Sequence, residues 1–264
     1  MQGKTLFNNV VMSKAEAVAL VANLVIDELM ERATRHHKVR NYFDIAVLGY
    51  GNGGIRSLLP EILGDGFASI EYLAKFQPEA RRIFFDVRRH DGAMISVPFC
   101  YHPWITPRAG GRTPMYEALL NVRELVSEWC SQPENRDSFP PIVFNITDGE
   151  CNDASPGELI TIARHITDIS TNDGNTLLIN VHLASEYSDD KRLVFACDND
   201  FHTNNRYCQT LFEMSSLLPK CMEGSISQYI NPGTCGPYRG LAINASICDM
   251  LMVLNIGSES LYIM

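Results

Sequence analysis

Short apolar runs that alternate with amphipathic segments constrain the fold of this chain more than any other feature. The run IVFNIT at 142–147 stops at an acid and a glycine, and TLLINVHLA at 176–184 is apolar on both faces. Residues 113–130 and 155–169 place apolar side chains at three- and four-residue spacings, which is typical of helices. Such strands, separated by helices, predict a parallel sheet. We therefore predict an α/β fold: a three-layer, doubly wound, mostly parallel sheet with helices on both faces.

The remaining segments follow the same alternation less regularly. Ser13 and Glu16 have the spacing of a capping box at the start of a helix with one apolar stripe. Residues 45–48 are predicted to form a buried strand that ends in glycines. Residues 207–219 and 244–256 are predicted to be helical. Residues 55–112, with a short helix and two strands, are interpreted as an excursion from the main sheet. We predict a single domain over residues 1–264.

Charge and composition limit the partners that the chain can have. Its 264 residues have a formal net charge of −9. Nucleic acids and anionic membranes bind to basic surfaces, so neither is an expected partner. No apolar stretch approaches ~18 residues, and the N-terminal segment lacks the apolar core of a signal peptide. The eight cysteines show no C-x-x-C pair. These features predict reduced thiols and a cytoplasmic location.

Two polar residues are placed by this fold at the edge of the sheet where ligands bind. Asp148 follows the strand at 142–147, and Thr113 precedes a helix that begins near Pro114. Parallel sheets bind ligands beyond the carboxyl ends of their strands. Each residue also has a simpler interpretation, because threonine is a common helix N-cap and Asp-Gly is a common turn. Glu150 and Asp153 are interpreted as solvated loop charges.

The sequence resembles the von Willebrand factor A domains, and in particular their bacterial cytoplasmic branch. The resemblance depends on GGRTPM at the head of a helix and IVFNITDGE at the end of a strand, with SKAEAV, DGN and MSSLLP in the same order as in that family. It covers the chain from about Ser13 onward. It implies a Rossmann-like fold and a metal-ion-dependent adhesion site, in which Thr113 is a hydroxyl ligand and Asp148 acts through a bound water.

That resemblance also implies a function. The metal would be Mg²⁺ or Mn²⁺, held by neutral hydroxyls and water so that it accepts a carboxylate from a partner protein. The chain would then be a non-enzymatic protein-interaction module, and its relatives suggest a role in a bacterial stress-response or signalling system. The partner is expected to be another protein, with neither nucleic acid nor membrane involved.

The chain departs from the family at the first metal loop. No D-x-S-x-S motif follows an apolar strand, and only about a dozen residues precede the helix at Ser13. We therefore expect that the first, central strand and its loop are missing from this sequence, and that metal binding is weak or absent without them. Residues 5–11 are an alternative source of a strand for the exposed sheet edges, as is a partner or a second copy of the chain.

Other functions stay open at this level. Gly49, Gly51 and Gly54 spell G-x-G-x-x-G after an apolar run, which is the pattern of a dinucleotide-binding loop. A nucleotide-binding enzyme, or a metal-dependent hydrolase that uses the same rim, is therefore the alternative to an interaction module. A third hypothesis is a degenerate copy whose rim binds its partner without a metal.

Overall fold

The protein consists of two compact units, each of which has its own hydrophobic core. The computed structural model describes residues 1–7, 10–51, 53–59, 66–88, 94–183, 192–197, 201–230 and 237–259. One unit comprises residues 1–49 and 56–110, and the other comprises residues 50–55 and 111–264. The first unit thus ends close to residue 112, where the excursion was predicted to end. The single domain stays a prediction.

The first unit combines one long helix with short paired strands. Its elements in chain order are β1 (Lys4–Phe7), β2 (Val10–Ser13), α1 (Lys14–Ala33), β3 (Thr34–Arg35), β4 (Lys38–Val39), β5 (Asp44–Ile45), β6 (Leu48–Gly51), β7 (Gly54–Ser57), β8 (Ala68–Ser69), α2 (Ile70–Leu73), β9 (Arg81–Arg88) and β10 (Met94–Tyr101). The strands pair as β1–β2, β3–β4, β5–β8, β6–β7 and β9–β10. The tip of β6–β7, residues 50–55, belongs to the second unit.

The capping box predicted at the start of α1 is confirmed. The Ser13 side chain accepts the N–H of Glu16, and the Glu16 carboxylate accepts the N–H of Ser13 at 2.7 Å. These reciprocal bonds satisfy two donors that would otherwise lack a partner, and they fix the first residue of the helix. The apolar stripe of α1 then packs into the core of the unit, whose buried members are Ala19, Ile26, Met30, Ala33, Leu59, Ala68, Ile70, Leu73, Trp104 and Ile105.

One prediction about a strand in this part of the chain is wrong. Residues 45–48 do not form one buried strand, because β5 ends at Ile45, β6 begins at Leu48, and all four residues are only half-buried. Residues 5–11 were one alternative for pairing with the sheet edges; their described members lie in β1 and β2, which pair with each other in antiparallel register. A short apolar run fits a buried strand or a hairpin equally well, so its period alone does not decide between them.

The second unit contains the larger sheet and most of the helices. Its elements are α3 (Met115–Ser131), β11 (Ile142–Thr147), α4 (Pro156–Thr167), β12 (Ser170–Thr171), β13 (Gly174–Asn175), β14 (Leu177–Leu183), β15 (Leu193–Val194), α5 (Arg206–Met214), α6 (Lys220–Ser227), β16 (Leu241–Ala245) and α7 (Ile247–Glu259). Four of them form a sheet in the order β11–β14–β16–β15, and β12 and β13 form a small hairpin.

The sheet is parallel over three strands and antiparallel at one edge. β11 pairs with β14 from Ile142↔Leu177 to Thr147↔His182, β14 pairs with β16 in the same direction, and β15 runs antiparallel to β16. Helices α3, α4 and α5 pack against it through a shared core of Met115, Leu119, Leu159, Ile162, Ala163, Ile166, Leu178, Ala196, Cys208, Leu211, Met214, Leu241 and Ile243. The parallel pairing of the two apolar runs places the carboxyl ends of β11 and β14 side by side.

The fold class is therefore confirmed as mixed α/β. Apart from this four-stranded sheet, the described strands form two-stranded sheets, most of them antiparallel. The helix predicted at residues 244–256 begins later than predicted, because Asn244 and Ala245 are the last residues of β16 and α7 begins at Ile247. Within the described ranges, no helix has both the length and the apolar character needed to cross a membrane.

A glycine next to β16 offers a test of the packing in the second unit. A methyl group on Gly240 would lie 2.8 Å from Cγ1 and 3.3 Å from Cα of Ile179. Gly240→Ala should therefore lower the free energy of unfolding by about 1–2 kcal/mol through overpacking. Gly224→Ala is the matched control, because a methyl group there meets nothing within 4 Å and alanine favours the helix α6. Equal urea midpoints for the two variants would contradict this packing.

Candidate functional site

The two predicted ligands lie on neighbouring connections of the second unit. Thr113 precedes Pro114 and the first residue of α3, and Asp148 directly follows β11. Both residues are half-buried, which leaves part of each accessible to solvent. The predicted strand thus ends at Thr147, and Asp148 is the first residue beyond the carboxyl end of a parallel strand.

The two connections touch each other beside Asp148. A methyl group on Gly149 would lie 3.6 Å from Oγ1 of Thr113. The N–H of Asn152 also donates to the carbonyl of Thr113 at 3.3 Å. The segment that follows Asp148 therefore lies against Thr113, and the absence of a side chain at Gly149 leaves space beside the threonine hydroxyl. The structure in this way brings the backbone next to one predicted ligand into contact with the other.

The turn after β11 is held by a buried hydroxyl. Thr147 is 2% exposed, and its Oγ1 donates to the carbonyl of Gly149 at 2.8 Å and accepts the N–H of Gly149 at 3.3 Å. The hydroxyl of Tyr207, on α5, donates to the same carbonyl at 3.0 Å. These bonds fix the backbone on both sides of Asp148, so the direction in which this residue leaves the strand is set before any ligand binds.

Two half-buried tyrosines line the inner side of this turn, and the sequence analysis missed both. Tyr50 Oη lies 2.9 Å from Oδ1 of Asn145 and 3.2 Å from the carbonyl of Ile146. Burial raises the pKa of Tyr50, and the negative charge of Asp148 raises it further. Burial likewise raises the pKa of Tyr207. Both phenols therefore stay protonated and act as donors, and no local pattern in the sequence could have indicated their convergence.

The interpretation of Thr113 as an N-cap is wrong. Helix α3 begins at Met115, Pro114 occupies the cap position, and no side chain of that residue caps the helix. Instead Asp153 accepts the N–H groups of Tyr116 at 3.1 Å and Glu117 at 3.0 Å. Asp153 is an exposed loop residue, as predicted, and its carboxylate in addition bridges to a helix more than 30 residues away in the chain.

A cysteine donates to the same carboxylate. Cys151 Sγ lies 2.9 Å from Oδ1 of Asp153. Burial raises the pKa of Cys151, and its hydrogen bond to Asp153 adds to this effect. For Asp153 itself, burial raises the pKa, but the hydrogen bonds from Cys151, Glu117 and Tyr116 outweigh burial and lower the pKa overall. Cys151 is therefore a neutral thiol that donates to an ionised carboxylate.

The glycine-rich segment does not have the geometry of a dinucleotide-binding loop. Gly49 and Gly51 lie in β6, and Gly54 begins β7, so the segment joins two paired strands. A dinucleotide-binding loop needs a helix directly after its last glycine, because the N-terminus of that helix binds the pyrophosphate. The described residues directly after Gly54 form the strand β7, so this segment lacks the helix that such a loop requires.

The donor set at the rim suits a hard cation. A threonine hydroxyl and a carboxylate supply oxygen, the ligand atom that Mg²⁺ and Mn²⁺ prefer. In the part of the chain that the structure describes, no three His, Cys, Asp or Glu side chains are grouped to hold a metal ion. Of the two predicted ligands, only Asp148 belongs to these four residue types. A metal ion bound here would therefore need the hydroxyl of Thr113, water molecules and a ligand from another molecule.

Comparisons with known proteins do not add a family to this description. No protein-family model, no curated protein and no solved structure matches the chain.

Proposed function

We propose that this chain is a non-enzymatic protein-interaction module whose binding surface is the rim formed by Thr113 and the turn after β11. The contact between the two connections is the observation that supports this proposal: Oγ1 of Thr113 lies 3.6 Å from the position of a methyl group on Gly149, the neighbour of Asp148. A hydroxyl and a carboxylate on touching loops provide part of the coordination sphere of a divalent cation. The remaining positions are available to water and to a carboxylate of the partner.

The proposed cation is Mg²⁺ or Mn²⁺, and its binding is weak. Thr113 is neutral and Asp148 has one negative charge, so the ion would keep most of its positive charge and attract an acidic side chain from a partner protein. The net charge of −9 disfavours nucleic acid and anionic membranes as partners. By its resemblance to cytoplasmic von Willebrand factor A proteins, we place the chain in the cytoplasm, in a bacterial stress-response or signalling system.

The finer fold proposal concerns the outer edge of β11. The carbonyl of Pro141 accepts the N–H of Leu177 on β14 at 3.0 Å. The backbone N–H and C=O groups of Ile142, and of every second residue after it, therefore point away from β14. Among the described strands, β14 is the neighbour that β11 has. We propose that β11, β14 and β16 belong to a doubly wound, mostly parallel sheet with helices on both faces.

A metal titration tests the proposed function. We expect Mn²⁺ to bind with a dissociation constant in the millimolar range and to stabilise the protein by about 1.4 kcal/mol at a free concentration of roughly ten times that constant. Thr113→Ala and Asp148→Asn each remove a proposed ligand, so each should weaken binding at least about fivefold. Binding is measured by isothermal titration calorimetry, and stabilisation by the melting temperature.

Two conservative variants control for nonspecific effects of these changes. Thr161→Ala removes an exposed hydroxyl on α4, and Asp173→Asn removes an exposed charge between β12 and β13, at the opposite end of β14. Both should bind Mn²⁺ as the original chain does. If the two ligand variants and the two control variants all bind Mn²⁺ with equal affinity, the ion binds elsewhere and not at Thr113 and Asp148. No binding in any of them would support a rim that acts without a metal.

A further inference from the structure

Asp153 links two connections that are distant in the sequence. It lies between β11 and the start of α4, and its carboxylate accepts the N–H groups of Tyr116 and Glu117 at 3.1 and 3.0 Å. Those donors are in the first turn of α3, where backbone N–H groups have no partner within the helix. The negative charge also faces the positive end of the helix dipole. One carboxylate therefore satisfies two donors of another element.

The residues before α3 do not supply this interaction themselves. Pro114 has no polar side-chain atom, and no side chain at the cap position bonds to the helix. The carbonyl of Thr113 accepts the N–H of Met115 at 2.8 Å and the N–H of Asn152 at 3.3 Å. The Asp153 carboxylate and the Thr113 carbonyl thus form two parallel connections between the loops, one to the start of the helix and one to the residue before Pro114.

We propose that Asp153 is a positioning residue that holds the turn containing Asp148 against Thr113, so that the two proposed cation ligands are assembled before a cation binds. The identity of the two ligands rests on the proposed function. The geometry rests on the two hydrogen bonds to the Asp153 carboxylate and the two to the Thr113 carbonyl. Two loops held in advance lose less conformational freedom when a ligand binds, which raises affinity without adding a contact. Asp153 acts through Thr113 and Asp148 and does not contact the ion.

The neighbouring thiol provides a report on Asp153 that needs no metal. Cys151 Sγ donates to Oδ1 of Asp153, and Cys151 is half-buried. If the carboxylate is removed, the thiol loses its acceptor and the negative charge beside it, so thiolate forms more readily at neutral pH. The folded chain is treated with iodoacetamide and digested, and mass spectrometry of the peptide that contains Cys151 gives the alkylation rate of this thiol. That rate therefore reports whether the Cys151–Asp153 hydrogen bond is present.

The test compares Asp153→Ala and Asp153→Asn with the control Asp173→Asn in the full chain. We expect Asp153→Ala to increase amide hydrogen exchange about five- to tenfold at Tyr116, Glu117 and Asn152, and to increase the alkylation rate of Cys151 severalfold. Asp153→Asn keeps one acceptor oxygen, so its exchange rates should lie between those of Asp153→Ala and the original chain. Asp173→Asn should change none of these rates.

The amide of Asn152 separates a positioning role from simple helix capping. Its N–H bonds to Thr113 and not to α3. If Asp153→Ala increases exchange at Tyr116 and Glu117 but leaves Asn152 unchanged, Asp153 only caps the helix and the proposal is overturned. If exchange at Asn152 also rises, the positioning role is supported even when Mn²⁺ does not bind. Faster exchange at Asn152 without Mn²⁺ binding would reject the proposed metal site but not the positioning role of Asp153. Where Mn²⁺ does bind, Asp153→Ala should weaken it at least about threefold.

Discussion

Replacing Asn180 with leucine should lower the free energy of unfolding by about 2–4 kcal/mol. Asn180 is fully buried on β14, its Nδ2 donates to Oγ of Ser215 at 2.9 Å, and its Oδ1 accepts Nδ2 of Asn145 at 2.9 Å. Ser215 Oγ in turn donates to the carbonyl of Leu211 at 2.7 Å. Leucine has a similar size but no polar atoms, so the buried Nδ2 of Asn145 loses its oxygen acceptor and keeps only a weak contact with Sδ of Met115 at 3.6 Å. This poorly satisfied donor dominates the loss.

A double-mutant cycle distinguishes this hydrogen bond from a general packing effect. Asn145→Leu alone should also destabilise the protein. The double variant Asn145→Leu/Asn180→Leu should lose about 1–2 kcal/mol less than the sum of the single changes, because neither side chain then leaves the other unpaired. Asn121→Leu, at an exposed position on α3, should change stability by less than about 0.5 kcal/mol. Strict additivity in urea unfolding followed by circular dichroism would contradict a shared network.

The features that the sequence predicted correctly are those whose causes lie within one segment. The capping box of α1 joins Ser13 and Glu16, which are three residues apart, and the structure contains it. The apolar runs that became β11 and β14 are long enough to exclude most alternatives, and their pairing is parallel. Periodicity and capping residues are local, so a single sequence reveals them.

The features that it missed depend on residues that are far apart in the chain. In the sequence, Asp153 is indistinguishable from other loop acids, and only the structure shows it beside the first turn of α3. Tyr50 likewise belongs to a glycine-rich segment in the sequence, and only the structure shows its hydroxyl bonded to Asn145. The run at 45–48 is too short for its period to separate a parallel strand from a hairpin. In each case the deciding contact is formed by tertiary structure, and the residue types involved are common in unrelated surroundings.

The two predicted ligands, Thr113 and Asp148, also differ in whether their placement follows from local sequence or from tertiary contacts. The placement of Asp148 after an apolar strand follows from local pattern, and β11 ends directly before it. The closeness of Thr113 to the turn after Asp148 depends instead on Gly149, on the Thr147 hydroxyl and on Asp153. The sequence therefore indicates which residues stand at the rim, whereas the bonds that bring the two loops together become visible only in three dimensions.

The ion pair between Arg192 and Asp249 is expected to have the other large effect on stability. Asp249 is 4% exposed, accepts Nε of Arg192 at 2.8 Å and also bonds Nη2 of the same guanidinium. It accepts the N–H and the hydroxyl of Ser246 at 2.8 and 2.9 Å, at the start of α7. Arg192 is 64% exposed, so solvent screens its charge and the bonds to Ser246 carry much of the effect. Asp249→Asn should therefore lower the free energy of unfolding by about 2 kcal/mol at neutral pH, because the ionised carboxylate anchors both the guanidinium and the start of the helix.

The pH dependence of this loss identifies its electrostatic origin. Burial raises the pKa of Asp249, but the bonds from Arg192 and Ser246 outweigh burial and lower the pKa overall. A carboxylate with a lowered folded pKa stabilises the protein fully above its unfolded pKa of about 3.9, and this stabilisation disappears as the pH falls through the folded pKa. The stability gap between the original chain and Asp249→Asn should therefore be constant near neutral pH and narrow below about pH 4. Arg192→Ala removes the main cause of the lowered pKa, so the folded and unfolded pKa values of Asp249 move closer together and the stability lost in acid should be smaller than in the original chain. Asp173→Asn should follow the original chain throughout. A gap between the original chain and Asp249→Asn that stays the same down to the acid limit would mean that Asp249 acts through packing and not through charge.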